Sequence, residues 1–228
     1  MTSRLASEPI APERLEILPA TLDRWADVVT LLGGDGERGC WCQAWRGSDS
    51  PLGRGDPARN RMLAESQLAE SQLAESQLAE SKLAESQLAM DDVAPGLIAY
   101  LDGDPVGWCG LGPRAAMPRL VRSRTIPNID DLPVWSIGCF RIRVGYRRRG
   151  VARALLAGAV DYARQMGAPA VEAYPIDAEG ERVDVGFGFV GFTSTFEAAG
   201  FRRVTVTDAH SAGRVRWLMR LDLDPETA

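Results

Sequence analysis

The spacing of apolar residues divides the N-terminal part of the chain into a strand, a helix and a loop. Residues 14–20 (RLEILPA) alternate like a half-buried strand, and residues 21–34 predict a helix capped at Thr21 and ended by two glycines. Residues 35–57 are rich in Gly, Pro and Asp and predict a loop, in which Trp41 and Trp45 either line a pocket or close a core edge. The apolar residues of the helix recur three or four positions apart: Leu22, Trp25, Val28, Val29 and Leu32.

A five-residue repeat, LAESQ, fills residues 63–90 and predicts one long helix, because its residue types are fair to good helix formers. Five residues advance about 140° beyond a full turn, so the leucines wrap around the axis and form no single stripe. They stand at positions 63, 68, 73, 78, 83 and 88. We interpret the tract as a tandem expansion inside a pre-existing helix.

The remainder of the chain alternates between strand and helix patterns. The segments are, in order, a hairpin over 97–112, a strand over 134–144, a helix over 151–166, a strand over 170–177, a short helix ending at Gly200, and strands over 201–207 and 214–223. The complete order, β-α-α-β-β-β-α-β-α-β-β, predicts the α/β class, with a mixed sheet in a single domain. We place this domain over residues 14–221, with residues 63–90 as an insertion and tails at 1–13 and 222–228.

Composition and charge exclude several classes of protein. The chain has 228 residues and a formal net charge of −5, and most of that charge lies in the glutamates of the repeat. The rest is close to neutral, which argues against nucleic-acid binding. No apolar run reaches the roughly 18 residues of a membrane span, and the polar N-terminus has no signal-peptide pattern. We therefore expect a cytoplasmic protein with no nucleic-acid and no membrane partner.

Histidine and cysteine limit the chemistry further. The single histidine, His210, is predicted in a polar loop, and no nucleophile-elbow sequence accompanies it, so a Ser-His-Asp triad is not expected. The cysteines do not form a disulfide framework in a chain of this size, and Cys40 and Cys42 lack the usual spacing of zinc ligands. We expect free thiols and no metal. The four cysteines are Cys40, Cys42, Cys109 and Cys139.

The stretch VGYRRRGVARALL places Arg147, Arg148, Arg149 and Gly150 directly before a helix. A helix N-terminus is already electropositive, so three arginines there are unfavourable unless an anion binds. Turn amides, the helix N-terminus and a glycine together make a cradle for a pyrophosphate. The three glycines of a dinucleotide-binding turn and the Gly-Lys-Ser/Thr of a P-loop are both missing here.

Two motifs resemble those of the GCN5-related N-acetyltransferase (GNAT) family. Residues 147–152, RRRGVA, are similar to its Arg/Gln-x-x-Gly-x-Gly/Ala acyl-CoA signature, and residues 140–144, FRIRV, match the strand before it. Residues 196–201, FEAAGF, resemble its Tyr-Glu-x-x-Gly-Phe helix-to-strand motif. The resemblance extends over about residues 14–221 and implies a mixed, mostly antiparallel sheet with flanking helices.

The resemblance implies acetyl transfer from acetyl-CoA to an amine by direct attack in a ternary complex, with no metal. Backbone groups near Ile142 and Val144 would pair with pantetheine, and the amides of residues 149–153 would hold the pyrophosphate. The attacking amine needs a general base, and the departing thiolate needs a proton or a stabilising donor. The implied cofactor-binding residues are Ile142, Val144, Arg147, Arg148, Arg149, Gly150, Val151, Ala152 and Arg153.

Two positions depart from the family pattern. Phe196 stands where the family has its general-acid tyrosine, and Phe189 stands where it has a pantetheine-contacting asparagine. For the acid we expect Tyr174, with Tyr162 as the other available phenol and Cys139 as a weak donor. Glu172 is the first choice as general base and Asp177 the second.

The sequence therefore predicts an N-acetyltransferase that uses acetyl-CoA, with a small-molecule amine or a protein amino group as acceptor. Two alternatives stay open: a non-catalytic acyl-CoA-binding module, suggested by Phe189 and Phe196, and an interaction protein whose repeat pairs between protomers as a homodimer arm.

Overall fold

A seven-stranded sheet in the order β1-β2-β3-β4-β5-β7-β6 organises the chain. The computed structural model describes residues 8–33, 41–46, 60–61, 63–70, 93–178, 183 and 188–223. The strands are β1 Leu15–Pro19, β2 Gly96–Leu101, β3 Asp104–Pro113, β4 Trp135–Ile142, β5 Ala170–Ala173, β6 Arg202–Ser211 and β7 Arg214–Asp222. The helices are α1 Trp25–Leu32, α2 Gln43–Arg46, α3 at residues 63–70, α4 Pro118–Val121, α5 Val151–Gln165 and α6 Thr193–Glu197.

Antiparallel pairing dominates this sheet, and β4 with β5 is its one parallel pair among the described strands. Two tight turns close the hairpins β2–β3 and β6–β7. Asp102 and Gly103 form the first and Ala212 and Gly213 the second, all with the positive φ that two-residue hairpin turns require. The predicted α/β class and the mixed, mostly antiparallel sheet are confirmed.

Helices cover both faces of the sheet. Alternating residues of β2 show the two layers: Leu97 and Ala99 face α5, while Ile98 and Tyr100 face α1 and α3. The α5 side forms the larger core, to which α6 contributes Phe196. The other side holds α1 to α4, and we call it the acceptor face.

The parallel pair β4–β5 separates after three residue pairs, the last of which is Ile137 opposite Ala173. Gly138 forms a bulge at this point, because Cys139 and Ile137 oppose the consecutive residues Gly110 and Leu111 of β3. The rest of β4, to Ile142, continues alongside β3 with no strand partner on its β5 side among the described residues. A gap therefore opens between the two strands at the bulge.

Four predictions change in detail. The predicted loop over 35–57 contains the short helix α2, Gln43–Arg46. His210 lies in β6, not in a loop, because β6 continues four residues beyond the predicted end. Residues 112–133, predicted without regular structure, contain α4. The predicted strand 170–177 is regular only to Ala173, since the chain leaves β4 there.

The repeat tract is described only at its start. Residues 63–70 are helical, and Ala64 and Leu68 are buried against Val28 and Trp108. The remaining pentads lie outside the described residues, and within the described part the longest helix is α5, with 15 residues. No long repeat-expanded helix is seen, and the tract beyond residue 70 stays a prediction. None of the described helices has the length and apolar character to span a membrane.

Candidate active site

One edge of β4 leads away from the bulge without a neighbouring strand among the described residues. The five residues 138–142 have lost β5 as a neighbour, and at about 3.3 Å per residue they span roughly 16 Å. An extended arm with amide groups can pair with such an edge as a further strand would. Ile142, predicted to contact pantetheine, is the last residue of β4, whereas Val144 lies beyond the strand and is 81% exposed.

The edge of β4 leads directly into the arginine–glycine turn. The amide nitrogens of residues 147–152 have no hydrogen-bond acceptor among the described residues. Arg148 and Gly150 both have left-handed backbones, with φ of 62° and 98°, and this curls the amides into a concave row. Gly150 caps α5, so the positive end of the 15-residue helix faces the same concavity.

The arginine side chains of this turn act partly as braces. Arg147 donates from Nε to the carbonyl of Ile142 at 3.0 Å, and Arg149 donates from Nε to the carbonyl of Glu8 at 2.9 Å. The amide of Ile10 also donates to the carbonyl of Arg149 at 2.9 Å. These bonds hold the turn from both sides.

The residues present fit acetyl-CoA. Amides without acceptors at a helix N-terminus suit a pyrophosphate, the edge of β4 that β5 leaves suits the pantetheine arm, and the two sites are continuous. The structure brings together the predicted binding residues from Ile142 to Arg153, although Val144 does not belong to the strand edge.

Glu172, the predicted general base, lies in a buried ion-pair network on the acceptor face. It is 1% exposed, and both of its oxygens accept hydrogen bonds. Oε2 accepts from Arg114 Nη1 at 3.0 Å and from the Tyr174 hydroxyl at 2.9 Å, and Oε1 accepts from Arg220 Nη2 at 2.7 Å. Arg220 also pairs with Asp130, and this hydrogen bond lowers the pKa of that carboxyl. The carboxylate of Glu172 is thus held between two guanidinium groups.

Tyr174, the predicted acid, belongs to the same network. Its hydroxyl lies 2.7 Å from Arg114 Nη1, 3.1 Å from Ser136 Oγ and 2.9 Å from Glu172 Oε2. Burial, followed by the negative charge of Glu172, raises the pKa of this phenol above its usual value. Tyr174 therefore keeps its proton at neutral pH.

Cys139, the third catalytic candidate, lies on the bulge beside a second thiol. A Cβ added to Gly110 would stand 2.6 Å from Cys42 Sγ and 3.2 Å from Cys139 Sγ, so this glycine makes room for both sulfurs. The hydrogen bond with Cys139 lowers the pKa of Cys42, and the indole N–H of Trp108, 3.0 Å from Cys42 Sγ, acts in the same direction.

The substituted family positions have different surroundings. Phe196 is fully buried, and its ring contacts the edges of Phe140 and Phe201 in the α5 core. Phe189 lies near β4 and is 39% exposed. Asp177, the second choice as base, pairs with Arg203 at 2.7 Å.

Sequence reasoning missed the arginines of the acceptor face, which are Arg46, Arg114, Arg216 and Arg220. The pattern RVRWLMRLD of β7 held the signal for two of them, because Arg216 and Arg220 are separated by four residues on one face of a strand. Which carboxylates they meet depends on strand pairing.

An open parallel pair at a bulge, followed by a helix-capping anion cradle, defines a protein built to bind an acyl-CoA. The chain belongs to the Acetyltransferase (GNAT) family, whose model matches residues 61–181, more than half of the sequence. It is accordingly an N-acetyltransferase that depends on acetyl-CoA, as the motifs predicted. No curated protein matches the chain.

Solved structures share the fold. A GCN5-related N-acetyltransferase from Kribbella flavida is 16% identical with a TM-score of 0.50, and the match covers 93% of this chain and 100% of that one. The yncA protein from Salmonella typhimurium, solved with its cofactor acetyl-CoA, is 14% identical with a TM-score of 0.50, covering 94% and 97%. At these identities the likeness shows the fold alone.

Proposed function

We propose that the protein transfers the acetyl group of acetyl-CoA to a primary amine by direct attack in a ternary complex. The observation that carries this proposal is the position of the β4 bulge. It stands where β4 separates from β5 and where side chains of the acceptor face meet the sheet. A thioester at the bulge would lie beside the ring of Trp45, and an amine arriving from that face would reach it past the edge of this ring.

In this proposal the residues of the acceptor face have separate roles as acid and as positioning residue. Tyr174 or Cys139 donates a hydrogen bond or proton to the departing thiolate, and for Tyr174 this requires its hydroxyl to turn away from Glu172, to which it donates at 2.9 Å. Glu172 acts as a positioning residue, because its oxygens are committed to Arg114, Tyr174 and Arg220. The proton of the attacking amine passes to water. Acetyl-CoA supplies the activated acyl group.

Release of free CoA thiol from acetyl-CoA in the presence of a panel of amines tests this function. Acetylated amine should appear in equal amount to the thiol, and initial rates at varied concentrations of both substrates should give intersecting double-reciprocal lines. Binding of acetyl-CoA without acetylation of any amine would favour the alternative of a non-catalytic acyl-CoA-binding module. This alternative is supported by Phe196, which is fully buried and has no hydroxyl to act as an acid.

Replacing Tyr174 by Phe should lower turnover by roughly ten- to a thousand-fold, towards the lower end of what one acid–base group contributes, and leave acetyl-CoA affinity unchanged. Steady-state kinetics and calorimetry measure the two quantities. Because the pKa of Tyr174 is raised, its ionisation should not shape the pH–rate profile at or below neutral pH. Tyr162→Phe is the matched control, since its hydroxyl accepts from the amide of Ala94 at 3.2 Å on the α5 side. Undiminished turnover in Tyr174→Phe would transfer the role to Cys139.

Deleting residues 71–85, three pentads, should change acetyl-CoA affinity by less than about threefold, which is under 1 kcal/mol. The deletion spares Ala64 and Leu68, which pack in the core within the described part of the repeat. Calorimetry measures the affinity, and sedimentation compares the two forms. A dimer that becomes a monomer on deletion would mean that the tract is a dimerisation arm and not an inert expansion.

A further inference from the structure

Arg216 is a buried cation on the acceptor face, and no carboxylate among the described residues pairs with it. It is 6% exposed, and its Nε donates to the carbonyl of Tyr174 at 2.7 Å. The other two buried arginines of this face have acidic partners: Arg114 pairs with Glu172, and Arg220 with Glu172 and Asp130. A buried charge without a counter-ion is unfavourable, so this position needs an explanation.

The guanidinium of Arg216 is fixed by two aromatic rings. Its Cζ lies 5.5 Å from the ring centre of Trp45 and 6.0 Å from that of Tyr174. Aromatic contacts and the Nε hydrogen bond hold the group in place, while Nη1 and Nη2 have no acceptor among the described residues. Among the described residues, two side-chain atoms are fully enclosed and lack a hydrogen-bond partner, one in Asn60 and one in Arg164. The terminal nitrogens of Arg216 are not among them. The two terminal nitrogens therefore remain accessible.

The same aromatic residue connects Arg216 to the reaction site. Trp45 Cδ1 lies 3.0 Å from the point where a Cβ on Gly138 would stand, so its ring rests on the β4 bulge. The guanidinium and the proposed thioester position are consequently separated by about one indole ring. A small molecule with an amine at the bulge can place a second group on Arg216.

We propose that Arg216 binds a carboxylate of the acceptor, so that the substrate is a small amino acid and not a simple amine. This inference rests on the proposed function and specifies its acceptor. The paired nitrogens Nη1 and Nη2 match the two oxygens of a carboxylate. Arg216 is the better placed of the two arginines of this face that lack an acidic partner among the described residues, because Arg46 already uses Nη2 on the carbonyls of Leu111 and Pro95. Arg114 and Arg220 are paired with acids.

Burial lowers the pKa of Arg216 to about 10, so the side chain is still a cation at neutral pH. An incoming carboxylate would restore the missing counter-charge in a region from which water is largely excluded. Hydrogen bonds to charged groups strengthen binding by roughly 10- to 150-fold.

Three acid–amide pairs test the proposal: glycine with glycinamide, β-alanine with β-alaninamide, and 4-aminobutanoic acid with its amide. The wild-type protein should acetylate at least one acid with kcat/KM about 10- to 100-fold above that of its amide. Arg216→Met should abolish the preference by lowering kcat/KM for the acid, while the amide changes by less than about threefold. Arg216→Lys keeps the charge but not the paired nitrogens, and should retain part of the preference.

Arg203→Met is the matched control. Arg203 also stacks on an indole, that of Trp217 at 4.9 Å, but it is partly exposed and is paired with Asp177 and Glu197. This variant should keep the wild-type preference. Calorimetry with acetyl-CoA and circular dichroism establish that each variant is folded. If Arg216→Met does not fold, the test rests on Arg216→Lys, in which the preference for acids should be reduced but not lost.

Equal rates for acids and amides in the wild-type protein, or an undiminished preference in Arg216→Met, would overturn the carboxylate site. If no member of any pair is acetylated, the proposed function fails for these amines. Binding measurements then test the carboxylate site independently of acetyl transfer. In that case the acids should bind to the CoA-bound wild-type protein by calorimetry, more tightly than the amides and only in the presence of Arg216. Equal binding of acids and amides would overturn the inference.

Discussion

Gly150→Glu should abolish the binding of acetyl-CoA, with a rise in Kd of at least about 100-fold by calorimetry. Gly150 has a φ of 98°, a backbone that costs an L-residue roughly 1–2 kcal/mol, so the new side chain strains the turn. The carboxylate would also stand at the positive end of α5, where it competes with the pyrophosphate for the same unpaired amides. Both effects act on the cradle and neither on the core.

Gly167→Glu is the control for this experiment. Gly167 has a φ of 72°, has no atom within 4 Å of its added Cβ, and follows the opposite end of α5. The control therefore introduces the same charge and the same kind of strain away from the cradle, and should bind acetyl-CoA as the wild-type protein does. Gly150→Asn, a neutral residue that tolerates the left-handed backbone, should show an intermediate loss. Unchanged affinity in Gly150→Glu would remove the turn from the cofactor site.

The part of the site that holds the cofactor could be predicted from the sequence, because the residues that form it are neighbours along the chain. The cradle needs a strand, a turn with glycine in the left-handed region, and a helix, and all three lie between Trp135 and Gln165. The periodicity of each element and the turn chemistry of Gly150 depend only on neighbouring residues. This explains why α5 ends within one residue of its predicted limits.

The contacts of the acceptor face could not be predicted in this way, because they join residues that are far apart in the sequence. Glu172 meets Arg220 through the pairing of β5 with β7, and meets Arg114 through the loop that follows β3. Glycines in β3 and β4 are needed to admit Cys42 and Trp45 from α2 and the residues before it. No periodicity in the sequence indicates which of several arginines will lack a carboxylate, so Arg216 emerged only from the structure.

Glu172→Gln should destabilise the protein by about 3–5 kcal/mol, the cost of breaking a buried ion pair from one side. The substitution keeps the size of the side chain but removes the charge that neutralises Arg114 and part of that on Arg220, both almost fully buried. Denaturant unfolding should show a lower midpoint with an unchanged slope. Glu197→Gln is the matched control, because that carboxylate is half exposed and its partner Arg203 retains Asp177. The control should change stability by less than about 1 kcal/mol.

A double substitution separates the charge effect from a loss of packing. If the uncompensated charge of Arg114 causes the instability, adding Arg114→Met to Glu172→Gln should cost less than the sum of the two single changes. Arg114 touches Glu172 and Tyr174 directly, so the two sites are close enough to couple. Strict additivity, or a loss below about 1 kcal/mol in Glu172→Gln alone, would mean that the network does not stabilise the fold. A loss of turnover in Glu172→Gln at unchanged stability would then show that Glu172 acts in catalysis, as a positioning residue or as the base, and not only in holding the fold.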